Sequence, residues 1–139
     1  MTDQLQLAIE NILEIVTGDV SGIRAAPKYL PEAINVYPTL VCYAGSGYIE
    51  GGNPAGSMRG MHNIILELHI AGGDLPRTQA DSMSYASSIP AALLNNPTLN
   101  STVSTFGRIT YIFGSMVYGK INTIGFRWTI EDVKIQEIL

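Results

Sequence analysis

An alternating pattern within residues 61–71 is the feature that most constrains the fold of this chain. From position 64 onward, every second position carries a large aliphatic residue: Ile64, Leu66, Leu68 and Ile70. The positions between them are mixed in character. Successive side chains of a β-strand point to opposite faces, so this pattern predicts a strand with one wholly apolar face.

Three further segments show a strand pattern. Residues 39–44 form a short apolar run, and residues 107–118 and 121–136 alternate apolar with polar side chains. Gly119 lies between the last two segments and predicts the turn of a C-terminal β-hairpin. The apolar phase of the last strand slips by one residue near Glu131, which predicts a β-bulge there.

Two segments have the three- and four-residue spacing of amphipathic helices. Residues 3–17 are predicted as the first helix, with Asp3 or the residue before it as the N-cap and Gly18 at its end. A second helix is predicted over residues 76–95, where Pro90 should introduce a kink or a break. Its predicted inner face consists of Ala80, Met83, Ala86, Ser87, Pro90, Leu93 and Leu94.

A glycine-rich segment separates the first two predicted strands. Six of the 14 glycines lie within residues 45–60, and the apolar residues Tyr48, Ile49 and Met58 lie among them. We predict a long loop here. Loops of this length inside a compact domain are usually functional or disordered, and the apolar side chains favour a loop that becomes ordered on assembly.

The predicted elements follow one another as helix, strand, long loop, strand, helix, strand and strand. This order favours antiparallel pairing with helices packed against the sheet. We therefore predict one α+β domain over residues 1–139, with a mixed, mostly antiparallel sheet, two main helices and a C-terminal β-hairpin. A sheet this short leaves edge strands open, and an oligomeric ring could close them.

Charged residues make up only 14% of the chain, whereas typical globular proteins contain about a quarter. Charge normally covers the surface of a monomer. The deficit therefore indicates an exposed neutral or apolar surface that meets a partner. The net charge of −4 and the lack of a dense basic patch argue against specific recognition of nucleic acid.

The sequence contains no recognisable catalytic, cofactor or metal motif. Cys42 is the only cysteine and lies in an apolar run, which indicates a buried thiol. His62 and His69 are seven positions apart on one predicted strand, so they face opposite sides and cannot share a metal ion. The glycines lack the spacing of a dinucleotide fingerprint, and no Gly-Lys-Ser/Thr phosphate loop occurs. We expect no enzyme activity, no cofactor and no metal.

No apolar run reaches the ~18 residues that a membrane span requires. The first residues also lack the basic and apolar regions of a signal peptide. We expect the protein to fold in a reducing cytoplasm, without a membrane partner.

Four stretches of the chain carry a resemblance to a known family. They are the helix Leu5–Val16 running into GDVSGIRAAPKYLPEAINVYPTLVCYAG, the strand HNIILELHIAGGDLPRTQA, the helix end IPAALLNNPTLNSTVSTF and the closing hairpin GRITYIFGSMVYGKINTIGFRWTIEDVKI. In layout, over essentially the whole chain, they resemble the tail terminator proteins of long-tailed bacteriophages, also called tail completion or neck proteins.

The resemblance implies a structural virion protein that forms a ring, usually a hexamer. Such a ring caps the finished tail tube, ends its polymerisation and presents a surface for the head. Its partners would be further copies of the chain, the tail tube protein and the head–tail connector (stopper) protein, and DNA could pass through the ring. The protein would lie in the neck of the virion, after assembly in the host cytoplasm.

The family has no catalytic residues to carry over, so the candidate site is an interface with neighbouring subunits or with the tube. The candidate residues lie in the glycine-rich segment or beside the predicted strand edges: Tyr48, Ile49, Met58, Arg59, Arg108 and Lys120. Two alternatives stay open. One is another head-to-tail connector subunit, such as a stopper or an adaptor, and the other is a small-ligand-binding or enzymatic domain that uses residues 45–60 as a lid.

Overall fold

A computed structural model of the chain describes residues 3–51, 56–71 and 82–138. Within these ranges the chain forms two helices and four strands. Their bounds are Gln4–Asp19 for α1, Thr39–Gly51 for β1, Ser57–Ala71 for β2, Tyr85–Leu94 for α2, Ile109–Tyr118 for β3 and Ile121–Ile138 for β4.

The four strands form one antiparallel sheet in the order β1-β2-β4-β3. β1 and β2 form one hairpin, β3 and β4 form the other, and the two hairpins join through β2 and β4. Among the described residues, the one parallel pairing is an isolated bridge between Ala25 and Thr39. The predicted α+β class, with a mostly antiparallel sheet and a C-terminal hairpin, is confirmed.

The described part of the glycine-rich segment is a strand pair, so the predicted long loop is wrong for residues 45–51 and 57–60, and residues 52–55 lie outside the described ranges. β1 takes in residues 45–51, and β2 takes in residues 57–60. A Cβ atom at Gly47 would lie 2.5 Å from the Met61 carbonyl oxygen. This is too close for any side chain, so only glycine fits at this position. The glycines therefore mark a close approach of two strands, and the pairing shifts register just before Gly47.

The predicted bulge and turn of the C-terminal hairpin are confirmed. Glu131 and Asp132 lie opposite the single β2 residue Asn63, which makes a bulge in β4. Asp132 adopts a φ of 57°, in the left-handed region that such bulges use. Gly119 lies in the turn between β3 and β4 with a φ of 62°, where a side chain would be strained.

α1 packs across one face of the sheet. The Asp3 side chain caps it by accepting a hydrogen bond from the Gln6 amide at 3.0 Å, as predicted. The helix ends at Asp19, so Gly18 lies inside its last turn and does not stop it. Its buried residues follow the predicted spacing: Ala8, Ile9, Ile12, Leu13, Ile15 and Val16.

α2 is shorter than the predicted second helix, and its buried face agrees with the prediction only in part: Leu93 is buried and Ala86 packs against the core, as predicted. Residues 76–81 of the prediction lie outside the described ranges, and the helix is not split at Pro90. Met83 and Leu94, both predicted to face inward, are 44% and 59% exposed. The buried residues are Ile89, Ala92 and Leu93. The reason for the difference is that α2 packs mainly against α1 and only weakly against the sheet.

The sheet face beneath the helices, here called the helix face, carries the core. Trp128 and Phe126 stack on it with ring centroids 5.1 Å apart, and Phe113 lies 4.7 Å from Phe126. Its fully or nearly fully buried residues are Leu40, Cys42, Ile64, Leu66, Leu68, Phe126, Trp128 and Ile130. Burial of apolar surface contributes about 25 cal/mol per Å², so this layer is the main source of stability.

The opposite face, here called the second face, is only partly covered. The Tyr118 hydroxyl donates a hydrogen bond to the Pro31 carbonyl, and Ile34 of the same segment is buried. The segment before β1 therefore packs over the end of the face near Tyr118. Ile112, on the same face of β3, is 61% exposed.

Candidate functional site

The six candidate interface residues form two groups at opposite edges of the sheet. One group lies on the hairpin of β1 and β2: Tyr48, Ile49, Met58 and Arg59. The other group, Arg108 and Lys120, lies at the two ends of β3. The structure thus brings four of the candidates together and leaves the other two at the far edge.

The outer half of β1, residues 44–51, is exposed along its whole length. Tyr48 and Ile49 are 58% and 61% exposed. The inner half is covered, since the Leu40 amide donates a hydrogen bond to the Ala25 carbonyl at 2.8 Å. An exposed edge strand with apolar side chains is a template for pairing with another chain.

Arg59 and Met58 are less accessible than predicted. Both are partly buried, and the Arg59 Nε is buried with no hydrogen-bond partner in the described part of the chain. Arg59 pairs across the hairpin with Glu50, which is exposed. Of the three candidate cations, Arg108 and Lys120 are exposed, whereas Arg59 is partly buried.

A cleft of about 330 Å³ opens between the start of α1 and the outer half of the hairpin. Its lining is mostly apolar and includes two carboxylates: Asp3, Leu5, Ile49, Met58, Gly60, His62, Ile135 and Glu137. This volume is at the lower end of the range for clefts that hold small ligands. Met58 belongs to this cleft rather than to the exposed edge.

The first turn of α1 already carries carboxylates of the chain itself. Glu137 accepts a hydrogen bond from the Gln4 amide at 2.8 Å, and Asp3 accepts one from the Gln6 amide. The helix dipole stabilises such carboxylates. Burial lowers the pKa of His62, and the charge of Glu137 opposes this only in part, so the imidazole is neutral at pH 7. The cleft and its rim are therefore acidic.

β3 forms the other edge of the sheet and has the opposite charge. Tyr111, Ile112 and Val117 are 52%, 61% and 64% exposed. The Arg108 side chain is 78% exposed, with its Nε 3.1 Å from Glu131. No acidic residue occurs in β3 or in the turn that follows it. This edge is apolar with basic ends.

A buried polar cluster on the second face was missed by the sequence reasoning. Glu67 is 3% exposed and accepts hydrogen bonds from the Tyr43 hydroxyl at 2.5 Å and the Arg127 Nε at 2.9 Å. Its other oxygen lies 2.8 Å from His69 Nε2, and His69 Nδ1 lies 2.5 Å from Thr123 Oγ1. Five side chains from β1, β2 and β4 are thus joined.

The cluster holds a fixed charge at its centre. Burial by itself would raise the pKa of Glu67, but hydrogen bonds from His69 and Tyr43 and the charge of Arg127 outweigh it, and the pKa falls from 4.5 to about 2. Burial, with the hydrogen bond to Glu67, raises the pKa of Tyr43 from 10.0 to about 12. At neutral pH Glu67 is ionised and Tyr43 is neutral.

Thr123, His69 and Glu67 follow the order of a nucleophile, a base and an orienting acid. Thr123 is 1% exposed and His69 is 0% exposed, so a substrate cannot reach the hydroxyl in this arrangement. A buried network with its partners in place instead stiffens the sheet and specifies its register. The two-residue spacing of Glu67 and His69 is the one sequence signal for it, because it puts both on one strand face.

Cys42 is buried, as predicted, and burial raises the pKa of its thiol. Over the described ranges, no three His, Cys, Asp or Glu side chains lie together in a way that could hold a metal ion. Neither described helix has the length and apolarity needed to cross a membrane.

No protein-family model matches the chain, and no curated protein shows a significant match.

Proposed function

We propose that this protein is a bacteriophage tail terminator: a structural subunit that forms a hexameric ring, caps the tail tube, ends its polymerisation and provides the joint to the head. The observation that carries the proposal is the pair of unlike sheet edges. The outer half of β1 is apolar with acidic surroundings, whereas β3 is apolar with basic ends. The resemblance of the sequence supplies the phage tail as the setting.

Unlike edges favour a ring over a simple dimer. A two-fold dimer brings one patch against a copy of itself, whereas two different patches make a head-to-tail contact that repeats. The acidic surroundings of β1 include Glu50, Asp3 and Glu137, and the basic ends of β3 are Arg108 and Lys120. A contact between two β1 edges or between two β3 edges would bring like charges together. A contact between a β1 edge and a β3 edge brings opposite charges together, and these attract.

The scarcity of charge supports the same conclusion. Only 14% of the residues are charged. Large apolar side chains are instead exposed at the two edges: Tyr48, Ile49, Tyr111, Ile112 and Val117. Exposed apolar strands are an aggregation hazard for a monomer, and a closed ring removes both edges at once.

Negative-stain microscopy of the purified protein, alone and mixed with tail tubes, tests the proposal. We expect six-fold rings, and we expect one ring at the end of each capped tube. Addition of the protein to polymerising tube protein should stop further growth. A protein that stays monomeric at every concentration and leaves the tube ends bare would contradict the proposal.

The apolar cleft favours one other candidate, a small-ligand-binding domain. Its volume of about 330 Å³ suits a small ligand with an apolar body, and its carboxylates would select a cationic group. Thermal-shift screening with small apolar amines distinguishes the two. Ligand-dependent stabilisation of a permanent monomer would favour this candidate. Rings found on a connector in place of the tube would favour a stopper or an adaptor.

A further inference from the structure

Within the described ranges, the two edges of the sheet are unpaired over comparable lengths. No backbone hydrogen bond from the described residues reaches the outer side of β1 at residues 44–51 or of β3 at residues 109–118. Each stretch therefore offers a row of amide and carbonyl groups to an added strand.

The directions of these edges suit a rotated copy of the same chain. In an antiparallel sheet of four strands the two outermost strands run in opposite directions. Rotation about the axis of a ring preserves the sense in which each strand runs along that axis. The β3 edge of one copy then meets the β1 edge of the next copy in antiparallel orientation, and the alternation of the sheet continues across the contact.

The exposed apolar side chains of the two edges match face by face. Ile49 lines the cleft beside α1, and Tyr111 lies 6.0 Å from the Phe126 ring, so both are on the helix face. Their neighbours Tyr48 and Ile112 lie on the second face, since side chains alternate along a strand. The outer half of β1 thus carries one exposed apolar residue on each face, whereas β3 carries Ile112 on the second face and both Tyr111 and Val117 on the helix face.

We propose that β3 of one copy pairs antiparallel with the outer half of β1 of the next copy, with Tyr48 opposite Ile112 and Ile49 opposite Tyr111. This pairing rests on the proposed ring and names its subunit contact. The register is the one that puts both apolar pairs directly opposite each other on matching faces. Such cross-strand aromatic–aliphatic pairs are the favourable units of an antiparallel sheet.

Charge supports the same register. With Tyr48 opposite Ile112, Glu50 and Arg108 become diagonal neighbours on the second face, within reach of long side chains. Glu50 is exposed, and the Arg108 side chain is 78% exposed, so Arg108 has room for a second carboxylate beside Glu131. In a parallel arrangement with Tyr48 still opposite Ile112, Glu50 would lie level with Gly114, six positions from Arg108.

The stagger of the register suits a closed ring. Ile109 of β3 pairs with Ile130 of β4, which pairs with Ile64 of β2, so Ile109 is at the height of Ile64 in the sheet. Gly51 of β1 pairs with Met58 of β2, six positions away from Ile64. Pairing Ile109 with Gly51 of the next copy therefore shifts the ladder by about six positions for every four strands. With about 3.3 Å per residue and 4.8 Å between strands, the strands incline by about 45° to the ring axis. Closed barrels have inclinations of about 35–45°.

Engineered cysteines test the register. Directly opposite residues place their Cβ atoms about 4.5–5.5 Å apart, close to disulfide range, so the Tyr48→Cys/Ile112→Cys variant should form disulfides between copies under mild oxidation. The matched control, Ile49→Cys/Ile112→Cys, puts the two thiols on opposite faces. Cys42 is buried and stays out of exchange. On non-reducing gels we expect a ladder for the first variant, at least tenfold stronger than for the control.

Microscopy of the same samples separates the two proposals. Rings in the microscope without a ladder, or with equal ladders for the two variants, would overturn the β1–β3 register and leave the ring in place. Absence of rings for the unmodified protein on tail tubes would overturn both. Rings together with a ladder specific to the Tyr48→Cys/Ile112→Cys variant would support both.

Discussion

At the scale of single residues, Glu67 ties the stability of the fold to pH. Its pKa falls from 4.5 to about 2 on folding, so the ionised form stabilises the folded state fully above pH 4.5. That contribution, about 3 kcal/mol, is lost as the pH drops towards 2. In the Glu67→Gln variant we expect a lower free energy of unfolding at pH 7. We also expect that free energy to change less with pH between pH 4.5 and 2 than it does in the unmodified protein. Urea denaturation at a series of pH values measures both.

The control for this prediction is Glu14→Gln, which removes an exposed carboxylate from α1. Its free energy of unfolding should follow that of the unmodified protein at each pH. Identical pH profiles for the Glu14 and Glu67 variants would mean that the cluster does not lower the pKa of Glu67.

Only part of this cluster could be predicted from the sequence. Glu67 and His69 are two positions apart in a clear strand, so their common face follows from the alternation. Thr123 is remote in sequence, and its place beside His69 depends on a register shift between His69 and Ala71. No local pattern signals that shift. Tertiary pairing, and not propensity, decides which polar residues meet.

At the scale of elements, α1 and the closing hairpin were predictable and the first hairpin was not. The apolar residues of α1 keep one phase over four turns, which leaves a single interpretation. The glycines in residues 45–60 allow two interpretations. They fit a flexible loop, and they also fit two strands in close contact. The close contact between Gly47 and the Met61 carbonyl group of the facing strand shows that the strand interpretation is correct. This contact depends on tertiary pairing and cannot be read from the local sequence.

Gly125 tests the importance of close strand approach. A Cβ atom there would lie 1.8 Å from the Leu68 carbonyl oxygen, so β2 and β4 would have to separate. We expect Gly125→Ala to lower the free energy of unfolding by about 3 kcal/mol, at the upper end of overpacking costs. Urea denaturation followed by circular dichroism measures the change.

The matched control is Gly51→Ala, also within a strand but with no heavy atom near the added Cβ. It should change the free energy of unfolding by less than about 0.5 kcal/mol, as exposed substitutions usually do. Equal costs at Gly51 and Gly125 would contradict the argument from strand separation.

At the scale of the whole molecule, we expect the exposed apolar residues of the sheet edges to take part in ring assembly and the exposed apolar residues of α2 to take no part. Ile112 on β3 and Leu94 at the end of α2 are almost equally exposed, at 61% and 59%. Ile112→Lys should reduce ring assembly at least tenfold, because it buries a charge in the proposed contact, and Leu94→Lys should leave assembly unchanged. Light scattering after gel filtration gives the mass of each variant. A stronger effect at Leu94 would move the contact away from the sheet edges.

The place of Trp128 has a practical consequence. It is the only tryptophan of the chain, it is fully buried, and it lies on β4, an internal strand of the sheet. Its fluorescence therefore responds when the domain unfolds and is insensitive to contacts made at the outer edges. Scattering and emission recorded from one cuvette would separate the assembly equilibrium from the folding equilibrium, without any label attached to the protein.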